Sequence, residues 1–177
     1  NSGLHLFAQV EAEDPRLAAA EHLLFVPDLL NFWLSGEAAQ EYSVASTSQL
    51  LDMRTGEWSK PVLDALGIPE RLFSPVIQPG TKLGTLRPAL QEELRCGPLD
   101  VITVAGHDTA SAVAAVPTDG SQSFAFMSSG TWSLMGLEAT APSVDSETLE
   151  LGFTNEGGVC NTIRKLRNIS GLWLIQE

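Results

Sequence analysis

The sequence predicts an α/β protein, and three features of the chain carry that prediction. Residues 100–105 form a strongly apolar run that is typical of a buried parallel strand. The run breaks at Gly106 and continues as an alanine-rich helical pattern to about Val116. Further along, two strand-like runs, 123–128 and 132–138, are joined by a short turn of small residues and predict a hairpin.

Helical patterns dominate the chain before the predicted strand. Residues 16–34 carry apolar side chains at helical spacing, and Pro27 within this stretch predicts a break near Val26. Four prolines between positions 68 and 88 predict an extended loop. The remaining elements expected in this half are helices at 41–51, 60–66 and 89–95, and a short strand at 83–86.

After the strand and its helix, the pattern changes at 117–120, whose sequence is Pro-Thr-Asp-Gly. Because helices give way to a hairpin there, this segment is the predicted crossing between two domains. Residues 145–150 are predicted to form a solvated acidic surface, and 155–158 a turn. A last helix is expected from Ile169 to Glu177.

Composition excludes several classes of function. With 10 basic and 22 acidic residues the net charge is −12, which argues against nucleic-acid and anionic-membrane partners, since both call for basic patches. Three scattered histidines predict no zinc site. The two cysteines are expected to be free thiols in the reducing cytoplasm, with a disulfide as the open alternative. The chain has 177 residues and begins at Asn1, so a longer parent protein is also possible.

Asp108 is the first candidate functional residue. It lies where the predicted strand passes into a helix, and ligands of α/β folds bind beyond the carboxyl ends of strands. A carboxylate there can accept a proton from a substrate hydroxyl. An ordinary helix N-cap is an equally good interpretation of this segment alone, because aspartate followed by Thr109 and small residues caps well.

The hairpin turn is the second candidate site. Ser128, Ser129, Gly130 and Thr131 are small, so their backbone N–H groups can approach a phosphate closely. The lysine of a P-loop is absent, and a plain turn explains the same residues. A carboxylate on one domain and a phosphate-holding turn on the next would together suit phosphoryl transfer.

Four motifs in order carry a resemblance to a known family. They read Gly-His-Asp-Thr-Ala-Ser-Ala at 106–112, Ser-Ser-Gly-Thr-Trp-Ser-Leu-Met-Gly at 128–136, Thr-Asn-Glu-Gly-Gly at 154–158 and Asn-Ile-Ser-Gly-Leu-Trp-Leu-Ile-Gln at 168–176. Together they resemble the sugar kinases of the FGGY family. Within it, they are most similar to the members that act on L-rhamnulose.

The resemblance implies a fold and a set of roles. The fold would be part of a two-domain, actin-like (ribonuclease H-like) ATPase-type sugar kinase with a cleft between the domains. Residues 1–118 would be the rear of the amino-terminal sugar-binding domain, and 119–177 the start of the nucleotide-binding domain. Asp108 matches the catalytic base, and His107, Asp108 and Thr109 match the sugar contacts. The nucleotide contacts match Gly130, Thr131, Asn168 and Gln176.

The implied reaction transfers the γ-phosphoryl group of ATP to the 1-hydroxyl of L-rhamnulose, with Mg²⁺ neutralising the phosphates. A kinase for another ketose or polyol, such as L-fuculose or D-xylulose, is the nearest alternative. A non-catalytic nucleotide-binding fragment is another. The family's amino-terminal Asp-x-Gly-Thr turn and its carboxyl-terminal glycine-rich segment are absent from these residues, so little or no activity is expected from the 177-residue chain alone.

Overall fold

The computed structural model of the protein describes residues 2–118, 124–130 and 132–171. Helices and strands are mixed along this part of the chain, as predicted. The α-helices are α1 (Ser2–Glu11), α2 (Pro15–Ala19), α3 (Val26–Ser35), α4 (Tyr42–Ala45), α5 (Lys60–Ala65), α6 (Pro88–Leu94), α7 (Asp108–Ala114) and α8 (Ser146–Glu150). Two short 3₁₀ turns occupy Ser46–Ser48 and Glu70–Leu72.

The strands form one large sheet and three small ribbons. They are β1 (Gln40–Glu41), β2 (Leu51–Asp52), β3 (Glu57–Trp58), β4 (Val76–Ile77), β5 (Lys82–Thr85), β6 (Asp100–Ile102), β7 (Ala125–Ser128), β8 (Trp132–Ala139), β9 (Thr154–Gly157) and β10 (Ile163–Ser170). The pairs β2–β3 and β5–β6 are antiparallel, whereas β1 and β4 run parallel. The large sheet is antiparallel throughout, in the order β7-β8-β10-β9.

Several sequence-based expectations are confirmed. The hairpin exists, with β7 and β8 paired from Ala125 opposite Leu137 to Ser128 opposite Leu134. Helix α5 ends before Gly67, whose φ of 63° is the left-handed conformation that glycine adopts without strain. The break within 16–34 is also present, and it is wider than predicted because α2 ends at Ala19 and α3 begins at Val26.

The prediction of a buried parallel strand at 100–105 is wrong. Strand β6 pairs antiparallel with β5, and its side chains alternate between covered and uncovered faces. Val101 and Thr103 are buried, whereas Ile102 is 53% and Val104 is 67% exposed. An apolar run shows that a strand is favoured, but the direction of its partner depends on residues elsewhere in the chain.

Other boundaries also differ from the sequence-based expectations. The helix expected at 41–51 is one turn, α4, followed by a 3₁₀ turn. The turn expected at 155–158 is mostly strand β9, and the acidic segment 145–150 contains α8, which Asp145 caps through the backbone N–H of Thr148. Ile169 and Ser170 end strand β10 instead of opening a helix, because pairing with β8 extends to this point. The rest of that expected helix, from 172, lies outside the described residues.

Two apolar clusters join the large sheet to the rest of the molecule. In one, Ile163 of β10 packs against Tyr42 and Leu51. In the other, Val113 of α7 packs with Phe126 and Leu166 of the sheet. A third cluster, separate from the sheet, gathers Leu6, Leu50, Leu63 and Ile68. The sheet therefore rests on α4 and α7, the two helices that flank the turn described next.

Candidate functional site

The turn between β6 and α7 carries the first predicted site residues. Asp108 is the first residue of α7, and His107 occupies the N-cap position without a side-chain capping bond. The Asp108 side chain is 98% exposed. Its Oδ1 atom accepts the backbone N–H of Thr109 at 2.6 Å and the Thr109 hydroxyl at 3.3 Å. The N-cap interpretation of Asp108 is therefore wrong by one residue, and both of these hydrogen bonds are accepted by Oδ1.

The backbone of this turn is held by side chains from a distant part of the chain. The N–H of Gly106 donates to Oε2 of Glu41 at 2.8 Å, and the N–H of His107 donates to the Ser43 hydroxyl at 3.1 Å. Ser111 of α7 donates its hydroxyl to the carbonyl of Ala105 at 2.8 Å. The conformation just before Asp108 is thus set by two residues that lie more than 60 positions earlier.

Glu41 is the centre of this anchoring network. It is 1% exposed and caps α4, accepting the N–H groups of Ser43 at 2.7 Å and Val44 at 3.2 Å. Its Oε2 also accepts the Ser43 hydroxyl at 2.6 Å. With Gly106, four donors satisfy this buried carboxylate, which is what a polar group removed from water requires.

Asp28 extends the network from helix α3. It is 2% exposed, and its Oδ1 accepts the backbone N–H of Glu41 at 3.1 Å, while Oδ2 is buried without a hydrogen-bond partner. The pKa of Asp28 is raised to about 7, because burial and the nearby Glu41 charge raise it more than the backbone hydrogen bonds lower it. Asp28 therefore titrates near neutral pH.

His107 is approached from the opposite side by the large sheet. Nδ1 of His107 lies 3.4 Å from Nη1 of Arg164, a side chain of β10 that is completely buried. Arg164 also lies 3.0 Å from Oε2 of Glu156 and donates Nε–H to the carbonyl of Gly157 at 2.9 Å. Burial first, and the Arg164 charge second, lower the pKa of His107 below its ordinary value of 6.5. His107 is consequently neutral at physiological pH.

The structure brings three predicted sugar-site residues together, namely His107, Asp108 and Thr109. Thr109 is 5% exposed, and its hydroxyl lies 3.3 Å from Oδ1 of the exposed Asp108. Glu41, Ser43, Asp28 and Arg164, which contact this turn or its supports, were not predicted as site residues. A glutamate two positions before a serine at the start of a helix is a capping pattern, and this signal could have found Glu41 and Ser43.

The two predicted nucleotide residues that the structure describes, Gly130 and Asn168, belong to the large sheet and its hairpin turn. Gly130 is half-buried in the hairpin turn, and the Oγ atoms of Ser129 and Ser133 lie 3.5 Å apart. Asn168 is exposed on β10, opposite Leu134 of β8. Asn168 therefore belongs to a strand. Thr131 and Gln176 lie outside the described residues.

Three further findings concern metal-binding groups, membrane-spanning helices and cysteines. Among the residues that the structure describes, no group of three or more histidine, cysteine, aspartate or glutamate side chains is placed to hold a metal ion. No helix within the described ranges is long and apolar enough to cross a bilayer. Cys96 and Cys160 are free thiols.

Comparison with known proteins identifies the family. Residues 8–115 match the FGGY family of carbohydrate kinases, N-terminal domain. The chain therefore belongs to the FGGY family of carbohydrate kinases. It is 49% identical over 164 residues to a rhamnulokinase of Bacteroides thetaiotaomicron, covering 93% of this chain and 34% of that protein. It is 45% identical over all 177 residues to a rhamnulokinase of Enterococcus faecalis, covering 35% of that protein.

Solved structures agree on the fold. A "xyloylose kinase" from Brucella ovis superposes with a TM-score of 0.83 at 22% identity, covering 99% of this chain and 36% of that one. A carbohydrate kinase from Novosphingobium aromaticivorans superposes with a TM-score of 0.75 at 25% identity, covering 97% and 39%. The chain thus spans about a third of the length of the relatives that it matches.

Proposed function

We propose that this chain is part of an ATP-dependent sugar kinase that phosphorylates the 1-hydroxyl of L-rhamnulose in rhamnose catabolism. The observation that carries the proposal is its 40–49% identity to rhamnulokinases along nearly its whole length. The site adds a compatible geometry, since an exposed carboxylate stands at the start of a helix on a turn whose backbone is fixed. An enzyme of this kind works where ATP is supplied, which is the cytoplasm.

Asp108 is assigned the role of general base. As the sugar 1-oxygen attacks the γ-phosphorus of ATP, Asp108 accepts the hydroxyl proton, the new P–O bond forms, and the bond to the β-phosphate oxygen breaks to release ADP. An exposed carboxylate suits this role because one oxygen is occupied by Thr109 and the other can face a substrate hydroxyl. His107 and Thr109 are assigned as the flanking sugar contacts.

The nucleotide is assigned to the large sheet. Gly130 and Thr131 of the hairpin turn would meet the phosphates, and Asn168 and Gln176 would complete the nucleotide contacts. This assignment divides the chain into 1–118, the rear of the sugar-binding domain, and 119–177, the start of the nucleotide-binding domain. The small side chains of the turn support it, because backbone N–H groups can then approach a phosphate.

Mg²⁺ is expected to accompany ATP, as in phosphoryl transfer generally. The donor set does not build a metal cage, since the described part of the chain gathers no three acidic, histidine or cysteine side chains around one point. We therefore assign no residue of this chain to the metal, and no step above runs through it.

Replacing the base tests the proposal directly. In the full-length protein, Asp108→Asn is expected to lower kcat with L-rhamnulose and ATP by about 10²–10⁴-fold, because it removes the proton acceptor and preserves the shape. Asp64→Asn, an exposed carboxylate of α5, is the matched control and should retain activity. Full activity of Asp108→Asn would overturn the assignment of the base.

Three further measurements separate this function from a kinase for another sugar and from a non-catalytic nucleotide-binding protein. Rates with L-rhamnulose, L-fuculose and D-xylulose identify the sugar, and a preference for either of the last two would move the protein to a different kinase of the family. The 177-residue polypeptide alone is expected to show little or no turnover in a coupled assay, since it spans about a third of its relatives. Tight ATP binding without transfer by the full-length protein would instead indicate a non-catalytic module.

A further inference from the structure

Arg164 occupies an unusual position for an arginine. It lies on the central β10 strand, is completely buried, and extends from the large sheet to the turn that carries Asp108. Nε–H donates to the carbonyl of Gly157, and Nη1 meets His107. Nη2 lies at the ion-pair distance of 3.0 Å from Oε2 of Glu156, without the geometry of a hydrogen bond. A buried guanidinium needs partners of this kind, because an unpaired buried charge is strongly destabilising.

The contact at Nη1 has a chemical consequence for the imidazole ring. A guanidinium has only N–H donors, so the Nδ1 atom that faces it at 3.4 Å must be an acceptor. A proton on Nδ1 would point at another N–H group. The Asp108 carboxylate, the other group near Nδ1, is 3.8 Å away and too far to accept a hydrogen bond from it.

From this geometry we infer that Arg164 is a positioning residue that fixes the tautomer of His107. Nδ1 accepts from the guanidinium, Nε2 carries the proton, and the ring meets the sugar as a neutral hydrogen-bond donor. The role toward the sugar rests on the function proposed above, whereas the tautomer itself does not.

The charges around the ring agree with a neutral imidazole. Three carboxylates lie near it, Asp108 at the start of α7, Glu156 in β9 and Glu41 in β1, and each raises the pKa of His107. Burial and the Arg164 guanidinium outweigh them and lower that pKa.

The arrangement also links the two parts of the site. His107 belongs to the turn before α7, and Arg164 belongs to the sheet that carries the hairpin. The tautomer of the imidazole ring therefore depends on the contact between the sheet and this turn. Gly157, whose carbonyl receives Nε, packs directly on Tyr42 of α4 at that junction. Displacement of the sheet would therefore release His107 together with the hairpin.

Nitrogen NMR of the full-length protein labelled with ¹⁵N-histidine tests the inference without any turnover. The wild-type spectrum is expected to show His107 as the Nε2–H tautomer with a pKa below 6.5, assigned by its loss in His107→Gln. A protonated Nδ1 in the neutral wild-type ring would overturn the inference, whether or not the protein proves to be a kinase.

Variants of Arg164 then test the cause. Arg164→Gln is expected to raise the pKa of His107 and mix its tautomers, and to lower kcat/KM for the sugar by about tenfold, the effect of losing one hydrogen bond. Arg164→Lys, which keeps a donor and a charge, should keep most of the His107 population in the Nε2–H tautomer. If a folded Arg164→Gln protein keeps both the wild-type tautomer and the wild-type pH profile, Arg164 has no positioning role.

Discussion

The two turns that carry the candidate site are held in different ways. The turn at 106–108 donates backbone hydrogen bonds to the side chains of Glu41 and Ser43, which are buried and distant in the sequence. The hairpin turn at 128–130 is held by the ladder of its own two strands, and Ser129 at its tip is exposed. In the described residues, the first turn therefore makes buried hydrogen bonds to distant side chains, whereas the second lies between two strands that pair with each other.

This difference suits the roles proposed for the two turns. A base must be placed to a fraction of an ångström relative to the hydroxyl that it deprotonates, so a turn fixed by buried hydrogen bonds is appropriate. A phosphate is recognised largely by backbone N–H groups and charge, and an exposed turn on a regular hairpin can supply these. The comparison therefore predicts unequal sensitivity to mutation.

The largest effect is expected from Glu41→Gln. The amide nitrogen must face at least one of the four donors that now meet the carboxylate, so a buried donor is left unsatisfied. We expect a loss of about 2–3 kcal/mol in the free energy of unfolding, together with a lower kcat. Urea unfolding and steady-state kinetics measure both quantities.

Glu37→Gln is the matched control for this substitution, because Glu37 is a nearby exposed glutamate. It should unfold like the wild type. Equal stability of Glu41→Gln and Glu37→Gln would show that the turn at 106–108 does not depend on its buried anchor.

The second effect is a dependence of stability on pH that originates at Asp28. The pKa of Asp28 is raised to about 7 in the folded state, from an ordinary value of 3.8. The folded protein therefore binds more protons between these values, and this contribution to stability is lost as the pH rises toward and through 7. Asp28→Asn should remove about 2 kcal/mol of that decline between pH 5 and 7.

Urea unfolding of both proteins across this pH range gives the difference directly. The comparison is needed because His107 acts in the opposite direction. Its pKa is lowered in the folded state, so its contribution is lost as the pH falls below 6.5. Parallel stability curves for the wild type and Asp28→Asn would refute a titrating Asp28.

A smaller effect is expected from Ser43→Ala. The Ser43 hydroxyl accepts the N–H of His107 and donates to Glu41, so its removal leaves one backbone donor of the turn without its partner. We expect a loss of about 1 kcal/mol in the free energy of unfolding and a several-fold lower kcat with an unchanged KM for ATP. A raised KM for ATP with normal kcat would place Ser43 in a different role.

The smallest effect is expected from Ser129→Ala, the same substitution at the other turn. Ser129 is exposed and its Oγ lies 3.5 Å from that of Ser133, so the free energy of unfolding should change by less than about 0.5 kcal/mol. Unfolding curves for Ser43→Ala and Ser129→Ala measured side by side sharpen the contrast. Equal losses would mean that the two turns are held in similar ways.

Local features of the site could be predicted from the sequence. The hairpin follows from two apolar runs around a Ser-Ser-Gly turn, and the position of Asp108 at a helix start follows from an apolar run that ends at a glycine. The motifs at 106–112 and 128–136 also identified the family. Each of these signals is contained within about ten consecutive residues, where turn chemistry and side-chain period act directly.

The long-range partners could not be predicted in this way. Nothing near Glu41 indicates that its carboxylate holds Gly106, 65 positions later, and Arg164 resembles any charged residue of a half-exposed strand. The antiparallel direction of β6 was mistaken for the same reason, since its partner was not identifiable from the run itself. These contacts depend on how the elements are brought together.

The sequence by itself therefore determined the mixed helix and strand composition, the family, and the residues at the tips of the two turns, because short-range preferences and motifs are written in consecutive positions. Only the tertiary structure decided how the first turn is held, which tautomer of His107 is favoured, and that Asp28 titrates near neutrality. Those properties arise from burial and from charges on separate elements, and they exist only after α3, α4, α7 and the large sheet have packed around one point.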